Sequence, residues 1–110
     1  MGLVNLNVSA VNIAEDIRGQ DAVTAVSATA TSSAALPANP NRAGYSIYNA
    51  GTTTVFVREN PTVTAALYKH PIPPGYLFES DFSTSRYTGV VSVITASGTS
   101  NLMVSESPIA

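Results

Sequence analysis

The chain has no cysteine and no tryptophan, a single histidine and very few charges. Without a thiol there can be no disulfide framework, no thiolate nucleophile and no cysteine-based zinc site, and the absence suits a protein made in a reducing cytoplasm. Charged residues make up 11% of the sequence, well under the roughly 25% of an ordinary soluble domain. The five basic residues, Arg18, Arg42, Arg58, Lys69 and Arg86, stand singly. Phosphate neutralisation needs clustered Lys and Arg, so neither nucleic-acid binding nor a polybasic membrane contact is expected. No apolar run approaches the ~18 residues that cross a bilayer as a helix. The first residues lack a basic n-region, so no signal peptide is expected. Met1-Gly2 opens like a myristoylation site, but Leu6 stands where Ser or Thr is required.

What remains is a chain of 110 residues, the size of one domain and long enough to bury a core without staples. Leu, Ile, Val and Phe supply 27 residues, which excludes a wholly disordered chain. Ser and Thr together number 25, Ala 15 and Asn eight, so hydroxyls, amides and small side chains replace ions on the surface. The apolar period is two almost throughout, the pattern of half-buried strands rather than helices. Val4, Leu6, Val8 and Ala10 alternate with Asn5, Asn7 and Ser9. Residues 12–21 break the pattern and bring four charges around Gly19, which predicts a loop with at most a turn of helix. Residues 22–31 alternate small and β-branched side chains. The segment 36–41, with two prolines and two asparagines, predicts a turn. Tyr45–Tyr48 and Thr54–Val57 flank Asn49-Ala50-Gly51 and predict a hairpin. Val63, Ala65 and Leu67 form a weaker strand. Pro73-Pro74-Gly75 predicts a type II turn into Tyr76–Glu79. Residues 80–88 predict a loop, and 89–96 and 102–106 a final strand pair about Ser97-Gly98-Thr99. About eight short strands at regular spacing predict an all-β fold, an antiparallel β-sandwich of jelly-roll-like type. Its body spans residues 23–110, preceded by an arm and joint at 1–22. The predicted core is Ile47, Val55, Val57, Leu77, Val91, Val93, Leu102 and Val104.

No constellation for catalysis emerges. His70 lies between Lys69 and Pro71, no Gly-x-Ser-x-Gly elbow exists, and a Ser-His-Asp triad would have to run through that one imidazole. The close acidic pairs are Glu15-Asp16 and Glu79/Asp81. Calcium wants more oxygen ligands than either supplies, and both read as solvated carboxylates. Tyr45, Tyr48, Tyr68, Tyr76 and Tyr87 could form a sugar platform, but their spread over different strands reads as core and rim packing. Catalytic residues, metal ligands and cofactor-binding residues are all expected to be absent.

The order of turn motifs across residues 24–106 carries a likeness. Pro37-Ala38-Asn39-Pro40-Asn41-Arg42 leads into Ile47-Tyr48-Asn49-Ala50-Gly51. Pro73-Pro74-Gly75 with Glu79 follows, and Ala96-Ser97-Gly98-Thr99 closes the series. This resembles the small β-sandwich modules of tailed-bacteriophage virions, most of all the head decoration, or cement, proteins. The resemblance implies a non-enzymatic structural protein on the capsid surface, made in the host cytoplasm. It implies a homo-oligomer, most often a trimer, bound to the major capsid protein, with no cofactor and no small-molecule substrate. Low charge suits such contacts, because few ions are desolvated on association. The alternative from another class is a carbohydrate- or receptor-binding β-module of a phage fibre, spike or tail. A small hydrolase is a third reading, against which the residue inventory argues. In the first reading the partner-binding residues are Val4, Leu6, Val8 and Ala10. Their strand either adds to a neighbouring chain or is the first strand of the chain's own sandwich.

Overall fold

The computed structural model describes residues 19–80 and 86–109. These residues form an all-β sandwich. Its strands are β1 (Ala22–Ala28), β2 (Ser33–Leu36), β3 (Arg42–Asn49), β4 (Val55–Arg58), β5 (His70–Ile72), β6 (Leu77–Ser80), β7 (Val91–Thr95) and β8 (Ser100–Pro108). One sheet has the order β1-β8-β3-β6 and the other β2-β7-β4-β5, and every pairing is antiparallel. The pairs β1·β8, β2·β7, β3·β6 and β4·β5 are nested, the outermost strands of the chain pairing with each other and the innermost likewise. Rolling four nested pairs so that alternate pairs fall in opposite sheets produces a jelly roll.

Nesting changes what the turns do. Residues 45–48 and 54–57 do not form the expected hairpin, because β3 pairs with β8 and β6 while β4 pairs with β7 and β5. Nor do β7 and β8 pair across Gly98, which lies at φ +73°. Both turns carry the chain from one sheet to the other. Turn chemistry reads the same locally whether the next strand returns beside the last or crosses the sandwich. The expected Pro-Gly turn is present: Gly75 has φ +81° and the Tyr76 amide donates to Pro73 O. It too crosses between sheets, from β5 to β6.

The membership of the strand set also differs. Residues 63–67 make only a tight turn closed by the Thr64–Leu67 bridge, and β2 and β5 take strand positions that the alternation did not mark. β5 contains Pro71, which lacks an N–H, so it can sit only at a sheet edge, which is where it lies. The strand expected at 4–10 falls outside the described residues, as does most of the loop expected at 12–21, of which residues 19–21 are described and carry no helix.

The core lies between the two sheets. Ile47 and Val104 face each other in one, Val57 and Val93 in the other, and all four are fully buried. Seven of the eight predicted core residues are buried. Leu77 is the exception at 55% exposure. Phe78, opposite Ile47, takes the inward position instead. The run Tyr76-Leu77-Phe78 carries no polar residue to fix its phase, and a side chain's face in a strand is decided by register alone.

Candidate functional site

Two buried polar groups hold the ends of the sandwich. Arg42 has no exposed surface. Its Nε donates to Glu106 Oε2 at 2.6 Å, Nη2 to Pro37 O at 2.6 Å, and Nη1 to Gly89 O at 2.8 Å and Tyr87 O at 3.2 Å. A planar fork of donors suits four acceptors converging from different segments. Asn49, also fully buried, makes all four hydrogen bonds that an amide can make. Its Nδ2 donates to Thr53 O and Ile72 O, and its Oδ1 accepts from the Gly51 amide and Ser100 Oγ. The amide therefore ties β3 and β8 to β5 in the opposite sheet. Gly51 is confined to glycine by this corner, since a Cβ there would fall 2.0 Å from Ser100 Oγ and 2.7 Å from the Asn101 amide nitrogen. Sequence reading missed both roles. Arg42 counted as a scattered cation and Asn49 as a turn residue, and nothing local marks an Arg or Asn as the one the fold encloses.

A third polar cluster joins Tyr45 of β3 and Ser80 of β6 to Glu59 and Lys69, which lie in the connection between β4 and β5. Tyr45 donates its hydroxyl to Glu59 Oε2 at 2.8 Å, and the same carboxylate receives Ser80 Oγ at 3.4 Å and pairs with Lys69 Nζ at 3.4 Å. Burial first, and the Glu59 carboxylate second, hold the Tyr45 phenol far above its usual value near 10. The folded chain therefore keeps this proton where the unfolded chain loses it. Below about pH 10 both states are protonated and stability does not depend on the group. Above it stability falls by up to about 1.4 kcal/mol per pH unit. Tyr45→Phe is expected to remove that part of the alkaline loss. Urea midpoints measured at pH 9 and pH 11 check it, and an equal drop in both proteins would refute it.

The outer faces of the two sheets differ. On the β2-β7-β4-β5 side the connection between β4 and β5 folds onto the sheet: Tyr68 packs against Phe56 with ring centroids 4.6 Å apart and the rings tilted by 41°, and Val63 is buried with its amide donating to Ser32 Oγ. On the β1-β8-β3-β6 side the register aligns Ala25, Met103, Tyr48 and Leu77 into one row that crosses all four strands. All four are exposed. The next row, Val23, Ser105, Ser46 and Glu79, is mostly polar. Beside it lies an open groove of about 440 Å³, lined by Asp21, Ser46, Glu79, Ser105 and Ser107 among others.

Of the residues singled out in the sequence, Val4, Leu6, Val8 and Ala10 lie outside the described residues, as do Glu15, Asp16 and Asp81. His70 is exposed at the start of β5, with its ring 5.2 Å from that of Phe78. Among the described residues no three His, Cys, Asp or Glu side chains gather where a metal could be held. The exposed tyrosines divide between faces. Tyr48 lies in the row on the first sheet, next to the strand that Tyr76 leads into, and Tyr68 lies against the second. Comparison of the chain with protein-family models, with curated proteins and with solved structures returned no match.

Proposed function

We propose that this chain is a structural protein of a bacteriophage virion, a capsid decoration protein that stabilises the head by bridging capsid subunits as a homotrimer. The observation that carries the reading is the division of labour in the sandwich. Arg42 and Asn49, two of the five buried polar residues among those described, serve to close the fold. Among the described residues a row of exposed apolar side chains crosses one sheet, Ala25, Met103, Tyr48 and Leu77. An exposed apolar row on a sheet face is a surface for a protein partner rather than a pocket for a small molecule. The resemblance of its order of turn motifs to that of phage decoration proteins is the other support for the reading. In it the protein binds the assembled shell and not free capsid subunits, and so shifts the equilibrium toward the shell by mass action.

The test is addition of the purified protein to capsids that lack it. Saturable binding at a fixed ratio to the capsid protein is expected, with a higher temperature of shell disruption. No binding at micromolar concentration refutes the reading. The carbohydrate- or receptor-binding alternative rests on the groove beside Ser46 and Ser105, where the Asp21 and Glu79 carboxylates could accept sugar hydroxyls. Binding to a glycan array without binding to capsids would select it.

A further inference from the structure

Four strands bound the two sheets, and three of them carry a device that stops further pairing. β5 has only three residues, with Pro71 at its centre. β2 has four, and its ladder slips between Ala34 and Leu36. β6 also has four and bears Glu79. β1 differs in each respect. It is seven residues long, Ala-Val-Thr-Ala-Val-Ser-Ala, without charge, proline or glycine, and its ladder to β8 is regular over its whole length. Among the described residues it pairs with β8 alone. Val23 is 54% exposed, and the apolar row of the outer face ends on this strand at Ala25. A long, regular, uncharged edge is a template for another strand.

We propose that the edge of β1 left unpaired among the described residues accepts residues 4–10 of a second copy of the chain. This rests on reading that segment as a partner-binding strand. The segment matches the edge in length, seven residues to seven, and likewise has no charge and no proline. Its apolar alternation, Val4, Leu6, Val8 and Ala10, supplies the side chains that would carry the row from Leu77 to Ala25 one strand further. The chain that precedes the described residues also has the length to reach a neighbour. The Gly19 amide donates to Pro108 O, which holds the chain against β8 for three residues beyond the start of β1. Residues 11–18 then provide a link of up to about 26–29 Å at ~3.3–3.6 Å per residue, long enough to reach an adjacent copy. Giving a strand to one neighbour and taking one from another is a head-to-tail contact, which closes into rings, trimers included.

Two full-length variants separate donor from acceptor. Val4→Asp/Leu6→Asp/Val8→Asp spoils the donated strand and leaves the edge. A proline in β1 spoils the edge and leaves the donor. Consecutive amides of a strand point to opposite sides, so of Thr24→Pro and Ala25→Pro one removes an outward N–H and spares the ladder to β8; the variant that melts closer to wild type is the one used. Wild type is expected to sediment as an oligomer at micromolar concentration and each variant alone as a monomer. Mixed in equal amounts, the two variants are expected to form a two-chain complex that grows no further, because one supplies the only intact strand and the other the only intact edge. Absence of that complex, or a proline variant that oligomerises as wild type does, overturns the proposal. So does a monomeric wild type whose triple variant melts lower, the result expected if the segment covers its own chain's edge. The mixing experiment uses no capsids. A two-chain complex from a protein that does not decorate capsids would sustain this inference and refute the proposed function, and the opposite pair of results would do the reverse.

Discussion

Arg42→Ala is expected to lower the melting temperature by roughly 15–30 °C, or to prevent folding at 37 °C. The guanidinium is fully enclosed and serves the Glu106 carboxylate and the carbonyls of Pro37, Tyr87 and Gly89. Removing it leaves those acceptors short of donors and the Glu106 carboxylate, only 20% exposed, without its partner. Breaking a buried pair from one side costs about 3–5 kcal/mol, against a total stability of ~5–15 kcal/mol. In a domain of this size each kcal/mol is worth about 4–8 °C. Arg42→Lys keeps the charge but offers three donors from one nitrogen instead of a fork, so it should recover only part of the loss. Arg42→Ala/Glu106→Gln should fall short of the sum of its two single variants, because the second change removes the charge that the first left unpaired. Thermal melts of the four proteins test this. An Arg42→Ala protein that melts within a few degrees of wild type would mean that the guanidinium holds nothing together.

Val93→Asp is expected to abolish cooperative folding. Val93 has no exposed surface, faces the core from β7, and sits between Ser33 of β2 and Val57 of β4 in register. A carboxylate there meets neither water nor a donor. Its burial costs several kcal/mol or forces it to take up a proton, and the burial of the valine side chain, worth about 1.5–3 kcal/mol, is lost as well. Together these match or exceed the whole stability of many ordinary domains. Met103→Asp is the control. Met103 is 43% exposed on the outer face of β8 and can place a charge in water, so its melting temperature should change by a few degrees at most. Circular dichroism and the soluble yield of the two variants separate the faces. A soluble Val93→Asp protein with a normal melt would reverse the assignment of the inner face.

Arg42 and Val93 mark different depths of legibility. Val93 belongs to a β-branched run, 91–95, whose phase is visible in the spacing of its valines. The same holds for Val55, Val57, Leu102 and Val104. A period of two with turn residues at short intervals can bury its apolar face only in a sheet packed on another sheet, so the all-β sandwich and most of its core follow from local pattern. Glycine at the Pro73-Pro74-Gly75 turn and at Gly98 was legible for the same reason, because positive φ is a property of one residue.

Pairing is not local. Whether Asn49-Ala50-Gly51 turns β3 back on itself or sends the chain across to the other sheet depends on β8 already lying beside β3, and β8 begins about fifty residues later. The face of Leu77 was decided in the same way, by the partner that set its register. So was the role of Arg42. A lone arginine is solvated unless distant segments converge on it, and here the acceptors come from the chain near Pro37, the loop holding Tyr87 and Gly89, and the end of β8. The edge position of β1 among the described strands is likewise a product of topology, since any strand of the nested set is an edge or a centre only by the order in which the sheets assemble. Sequence by itself determined the inward face of those strands whose apolar residues recur with a clear period of two, and where the chain bends. Tertiary structure decided which strands meet, which polar groups are enclosed and which edge is left open, because each of these is a relation between segments far apart in the chain.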